Sequence, residues 1–100
     1  MANKGPNKVT LRNAVRIFRV LKEVEQEDEG PLTMGEVARR CGLHPWTVSR
    51  MLDIWLKPLV EIQSVEELGA IGLQVKLVRL KEASMTEQKL PRYLKLKASL

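Results

Sequence analysis

The chain is poor in the residues that build covalent or metal-held scaffolds. Its 100 residues include one cysteine, Cys41, and one histidine, His44. A lone cysteine excludes a disulfide framework within one chain and makes a cysteine-ligated metal site untenable. It also fits a reducing compartment. No apolar run approaches the roughly 18 residues that a membrane-spanning helix requires. The first residues carry charges scattered through their apolar positions, unlike a secretory signal. The expected location is the cytoplasm, with no membrane partner. There is no internal repeat and no low-complexity tract.

What is present points to one small globular domain. Hydrophobic residues make up 44% and charged residues 29%, which separates the chain from disordered sequences. The formal net charge is +5, and a basic small domain favours a polyanionic partner, nucleic acid above membrane. The charge is unevenly placed. Lys4, Lys8, Arg12, Arg16, Arg19 and Lys22 precede any acid. Glu23, Glu25, Glu27, Asp28 and Glu29 follow as a block, and after Glu87 every charged side chain is basic.

Periodicity divides the chain into helices first and strands later. Leu11, Ala14, Val15, Phe18, Leu21 and Val24 recur at helical spacing, which predicts an amphipathic helix over 11–25 capped by Thr10. Arg12, Arg16 and Arg19 form a basic stripe on it. The acidic block at its C-terminus opposes the helix dipole and predicts fraying before Gly30-Pro31. Thr33-Met34-Gly35-Glu36 has the spacing of a capping box, so a second helix should run over 34–41 with Val37, Ala38 and Cys41 inward. Gly42 then supplies a left-handed helix end, and Pro45 suits the first turn of a third helix. That helix is expected over 45–57, with Val48, Met51, Leu52 and Trp55 in the core. Beyond Pro58 the period becomes two: Val60, Ile62 and Ser64, then Ile71, Leu73, Val75 and Leu77. These read as two strands joined by a hairpin loop over 66–70. In the tail, Ser84-Met85-Thr86-Glu87 is a further possible capping box, Pro91 a breaker, and Leu94-Lys95-Leu96-Lys97 alternates like a strand.

Three helices followed by a β-hairpin, with Ala38, Gly42, Val48 and Met51 at the spacing of a helix-turn-helix, resemble the winged helix-turn-helix family of DNA-binding domains. Thr47-Val48-Ser49-Arg50 is similar to the start of many recognition helices in that family. The resemblance covers about residues 11–81. It implies an α+β winged helix fold, preceded by a basic arm over 1–10 and followed by a short C-terminal extension over 82–100. It implies sequence-specific binding of double-stranded DNA by a repressor-like, nucleoid-associated homodimer, with the third helix in the major groove. The DNA-facing set is then Thr33, Arg39, His44, Trp46, Thr47, Ser49, Arg50, Lys57 and Lys76. Arg50 can pair in bidentate fashion with guanine. Trp46 either rests on thymine methyls and sugars or packs on the second helix or a partner subunit. Glu66 and Glu67 depart from the pattern, being acidic where a wing tip would meet phosphate, and so does Asp53 on the DNA-facing side. The acidic hairpin tip and an exposed Trp46 favour the alternative, a winged helix used as a protein–protein module in transcription or chromatin machinery; the basic ends and Thr47 to Arg50 favour DNA.

Catalysis is not expected. Cys41 and His44 lack a third orienting group, and Cys41 falls on an apolar face. The acidic block lacks glycines at ligand spacing and reads as a solvated face. No cofactor, metal or small-molecule ligand is expected, and the predicted domain leaves no room in 100 residues for a ligand-binding domain. The dimer interface is expected from the tail, through Met85, Leu90, Tyr93, Leu94, Leu96 and Leu100, and from Val20 and Ile17 on the first helix.

Overall fold

A computed structural model describes residues 5–65 and 75–98. The described residues form a small α+β domain of four α-helices and a three-stranded antiparallel sheet. Helix α1 spans Lys8–Gln26, and strand β1 is the short Leu32–Thr33. Helices α2 and α3 span Met34–Cys41 and Pro45–Ile54. Strands β2 and β3 span Val60–Val65 and Val75–Leu80, and helix α4 spans Leu90–Ala98. The sheet order is β1-β3-β2, with Leu32 opposite Val78 and Val60 opposite Leu80. The expected hairpin loop, with Glu66 and Glu67, and the start of the second strand, with Ile71 and Leu73, lie outside the described residues. So do Lys4 and Leu100.

Helix α1 starts three residues before the expected position. Its N-cap is Asn7, whose side chain accepts from the Thr10 backbone N–H at 2.8 Å. Asparagine caps at least as well as threonine, so Thr10 becomes the third helical residue. The helix ends inside the acidic block, at Gln26, one residue past the expected limit, so Glu27, Asp28 and Glu29 lie beyond it. Asp28 takes a left-handed φ of 54°, and the Glu29 N–H reaches back to the Val24 carbonyl at 3.1 Å. The unfavourable charges find partners on other elements: Glu25 pairs with Arg79 at 2.7 Å and Glu29 with Arg40 at 3.2 Å.

The core is contiguous. Ala14, Ile17, Phe18, Leu21 and Val24 of α1 pack with Val37, Ala38 and Cys41 of α2 and Val48, Met51 and Leu52 of α3. Leu32, Val60, Val78 and Leu80 close it from the sheet. Ile17 is fully buried, which corrects its expected place in a dimer interface. The inward face of α1 is broader than the single stripe read from the sequence, as core-facing helices commonly are.

The tail is part of this core. Leu90 and Leu94 are both fully buried, one helical turn apart on α4. They are needed by the monomer, contrary to the expectation that the tail's apolar residues were spare. The strand-like alternation of Leu94 and Leu96 is coincidental: Leu94 faces inward and Leu96 is exposed. Pro91 does not break the helix, because at the second helical position its missing N–H has no partner to lose.

Helix α3 ends at Ile54, three residues short of the expected limit. Pro58 has no N–H to return to the Ile54 carbonyl, and Lys57–Leu59 form a single 3-10 turn instead. The ammonium of Lys97 on α4 donates to the freed carbonyls of Ile54 and Trp55 at 2.7 and 3.2 Å. Trp55, expected in the core, is half-buried against its edge. No helix among the described residues is long and apolar enough to cross a membrane.

Candidate nucleic-acid interface

The turn between α2 and α3 sets the geometry of the candidate site. Gly42 has φ 70°, its N–H reaches the Arg39 carbonyl at 3.3 Å, and the Leu43 N–H reaches Ala38 at 3.0 Å. This pair of bonds is a Schellman motif, which the left-handed glycine permits without steric cost. Two residues on, His44 caps α3: its Nδ1 accepts from the Trp46 backbone N–H at 3.1 Å. Pro45 follows at the first helical position. The chain thus turns sharply and launches α3 with Val48, Met51 and Leu52 inward and Trp46, Arg50, Asp53 and Ile54 exposed.

Two of the expected contact residues serve the framework. The Thr33 hydroxyl accepts from the Glu36 N–H at 3.1 Å, while the Glu36 carboxylate accepts from the Thr33 N–H at 2.9 Å. These hydrogen bonds hold the Glu36 carboxyl below its usual pKa. His44 has one ring nitrogen committed to the cap, and the residue is exposed. Arg39 is exposed on α2 without an ion pair among the described residues, whereas its neighbour Arg40 is tied to Glu29.

On α3 the residues come together. The Arg50 guanidinium lies over the Trp46 ring, 4.9 Å from its centroid. This cation–π contact holds both side chains at one place on the outward face. Thr47 and Ser49 flank them, half-buried. Trp46 is nevertheless 63% exposed and Ile54 47%. A groove of about 200 Å³ runs between α3 and the first turns of α1, lined by Thr10, Asn13, Trp46, Thr47, Arg50, Met51, Ile54 and Trp55. Thr10, Asn13 and Ile54 were not foreseen from the sequence. The groove exists only because α1 crosses α3, and local spacing carries no signal of that.

Lys57 and Lys76 lie apart from this cluster. Lys57 joins Lys81, Lys97 and Asp53 around a second groove of about 550 Å³ beside β2. Burial first, and Lys57 second, hold the Lys97 ammonium below its ordinary pKa. Lys76 is exposed on β3 opposite Ser64.

Several other cations are spent on the fold. Arg19 of the expected α1 stripe makes two hydrogen bonds to Glu87, at 2.9 and 2.7 Å. Lys22 donates to the carbonyls of Ala83 and Met85. Cys41 is buried, its thiol directed at the Arg16 carbonyl, and burial pushes its pKa up to about 11. It therefore stays a thiol at neutral pH, without the thiolate that nucleophilic chemistry needs. Among the described residues no three histidine, cysteine or acidic side chains cluster as metal ligands. Comparison of the chain with protein-family models, curated proteins and solved structures gives no match.

Proposed function

We propose that the chain is a winged helix-turn-helix protein that binds double-stranded DNA in a sequence-specific manner and regulates transcription as a homodimer at the nucleoid. The observation that carries this reading is the α2–Gly42–α3 unit. A short helix, a left-handed glycine turn and a second helix place Trp46, Thr47, Ser49 and Arg50 on an uncovered face. Four helices and a three-stranded antiparallel sheet are compatible with a winged helix. In the proposed complex the start of α3 enters the major groove, Arg50 reads a guanine, and Arg39, Lys57 and Lys76 meet phosphates. Two-fold pairing sets the α3 helices about 34 Å apart, one turn of duplex. Val20, Tyr93 and Leu96 remain available for that pairing; Ile17, Leu90 and Leu94 do not. Exposed Trp46 and Ile54 favour a second reading, a winged helix that docks on another protein. Selection of bound sequences from a random duplex pool decides between them: a recurring palindromic site supports the DNA reading, and no enrichment overturns it.

A further inference from the structure

The groove between α1 and α3 has features that binding to a paired duplex does not require. It holds both tryptophans of the chain, and Ile54 is exposed beside them. Trp46 and Ile54 leave apolar surface at one concavity that an occupant would remove from water. At about 200 Å³ the groove is smaller than the roughly 300–1,000 Å³ of pockets for drug-sized ligands, and so it suits a single ring system. One face of the Trp46 indole carries Arg50, and its 63% exposure leaves the remainder of the ring to solvent.

The polar lining narrows the occupant. The Asn13 amide and the Thr10 hydroxyl make no hydrogen bond to the described residues. An amide offers donors and an acceptor together, which matches the edge of a nucleobase. Among the described residues no carboxylate lines the groove, and Arg50 is its one charged group. A planar heterocycle joined to an anion complements such a site; an acid-free apolar side chain of a protein partner would leave Asn13 and Arg50 unused.

We infer that this groove takes one unpaired nucleobase of a nucleic acid strand, stacked against Trp46, edged by Asn13, with Arg50 beside its phosphate. The inference rests on the reading of the α3 face as a nucleic-acid surface, and it adds a preference that the reading lacks. A base inside a duplex is stacked on its neighbours and cannot lay a face on Trp46, so the groove selects single-stranded segments, duplex ends or a base displaced from the stack.

The test compares three short labelled ligands by fluorescence anisotropy with the full chain at one salt concentration. They are an oligothymidylate strand, the same strand with abasic central positions, and a duplex. The base-bearing strand should bind about tenfold tighter than the abasic one, since stacking contributes on that order per base. Asn13→Ala and Trp46→Ala should each erase that gap, and Trp46→Phe should keep most of it. Circular dichroism confirms that each variant is folded; Asn13 and Trp46 lie outside the core, so both should be. Equal binding of the two strands, or a gap that survives Asn13→Ala, overturns the inference. Competition by free thymidine monophosphate as strong as by the strand assigns the groove to mononucleotides and also overturns it. The duplex arm keeps the two readings apart: Asn13 is outside the proposed duplex contacts, so Asn13→Ala should leave duplex affinity unchanged. Loss of all duplex binding with the strand gap intact would overturn only the duplex reading.

Discussion

Leu94→Ala tests whether α4 belongs to the core of one chain. Leu94 has no exposed surface and lies one turn from the equally buried Leu90. Truncation removes apolar atoms from a packed environment and leaves a cavity that neighbours fill only in part. Such a change costs roughly 2–5 kcal/mol. A domain of this size has a total stability of about 5–15 kcal/mol, so the variant loses a large fraction of it. At about 4–8 °C per kcal/mol, even the lower limit lowers the melting temperature by roughly 8–16 °C. Arg92→Ala is the internal control. Arg92 is exposed on the same helix, and an exposed substitution changes stability by only about 0.5 kcal/mol. Thermal melts followed by circular dichroism at two protein concentrations measure both effects. The Leu94 loss should be the same at each concentration, because a core defect does not depend on assembly. A Leu94→Ala chain that melts like the wild type, or that loses stability only on dilution, would refute the placement of α4.

Gly42→Val should destabilise by about 1–2 kcal/mol in chemical denaturation, from backbone strain at φ 70° alone, because a Cβ there meets nothing within 4 Å; Gly42→Asn should recover most of the loss. Glu36 has its carboxyl held below the ordinary carboxylate range, first by the Thr33 backbone N–H. Its contribution is therefore fully present above the ordinary carboxylate pKa and is lost as pH falls through its lower folded value. Glu36→Gln should keep the cap at neutral pH and flatten the acid limb of the stability–pH curve. Cys41, with its thiol pushed up to about 11, should react with a disulfide reagent at pH 8 only as fast as the domain opens, and at once in denaturant; rapid labelling of the folded chain would contradict its burial.

The α2–Gly42–α3 unit was legible because its signals are local. Thr33 with Glu36, Gly42, and Pro45 each specify one backbone conformation, and each stands where its spacing placed it. Alternation marked β2 and the described part of β3 as strands, but not the core face of β3: Val78 and Leu80 are buried there, while Val75 and Leu77 of the alternating set are half-buried. What escaped depends on partners distant in sequence. A two-residue strand such as Leu32–Thr33 has no period to read, and β3 alone gives it a place. The acidic end of α1 is rescued by Arg79 and Arg40, which no local rule supplies. Tail leucines at i and i+4 look spare until α4 is laid against α1 and the core. Trp46, left open between duplex and protein contact, stands beside Asn13 only once α1 crosses α3.

Duplex affinity measured across a range of salt concentrations, for the wild type and for Arg50→Ala and Arg79→Ala, tests the central claim most directly. Log K should fall with log salt with a slope of about −0.9 for each phosphate contacted. Arg50→Ala should weaken binding to the selected site by about tenfold, as loss of a bidentate base contact does. Arg79, already paired with Glu25 at 2.7 Å, should be replaceable with little change. A flat salt response, or equal losses from Arg50→Ala and Arg79→Ala, would contradict DNA binding through α3.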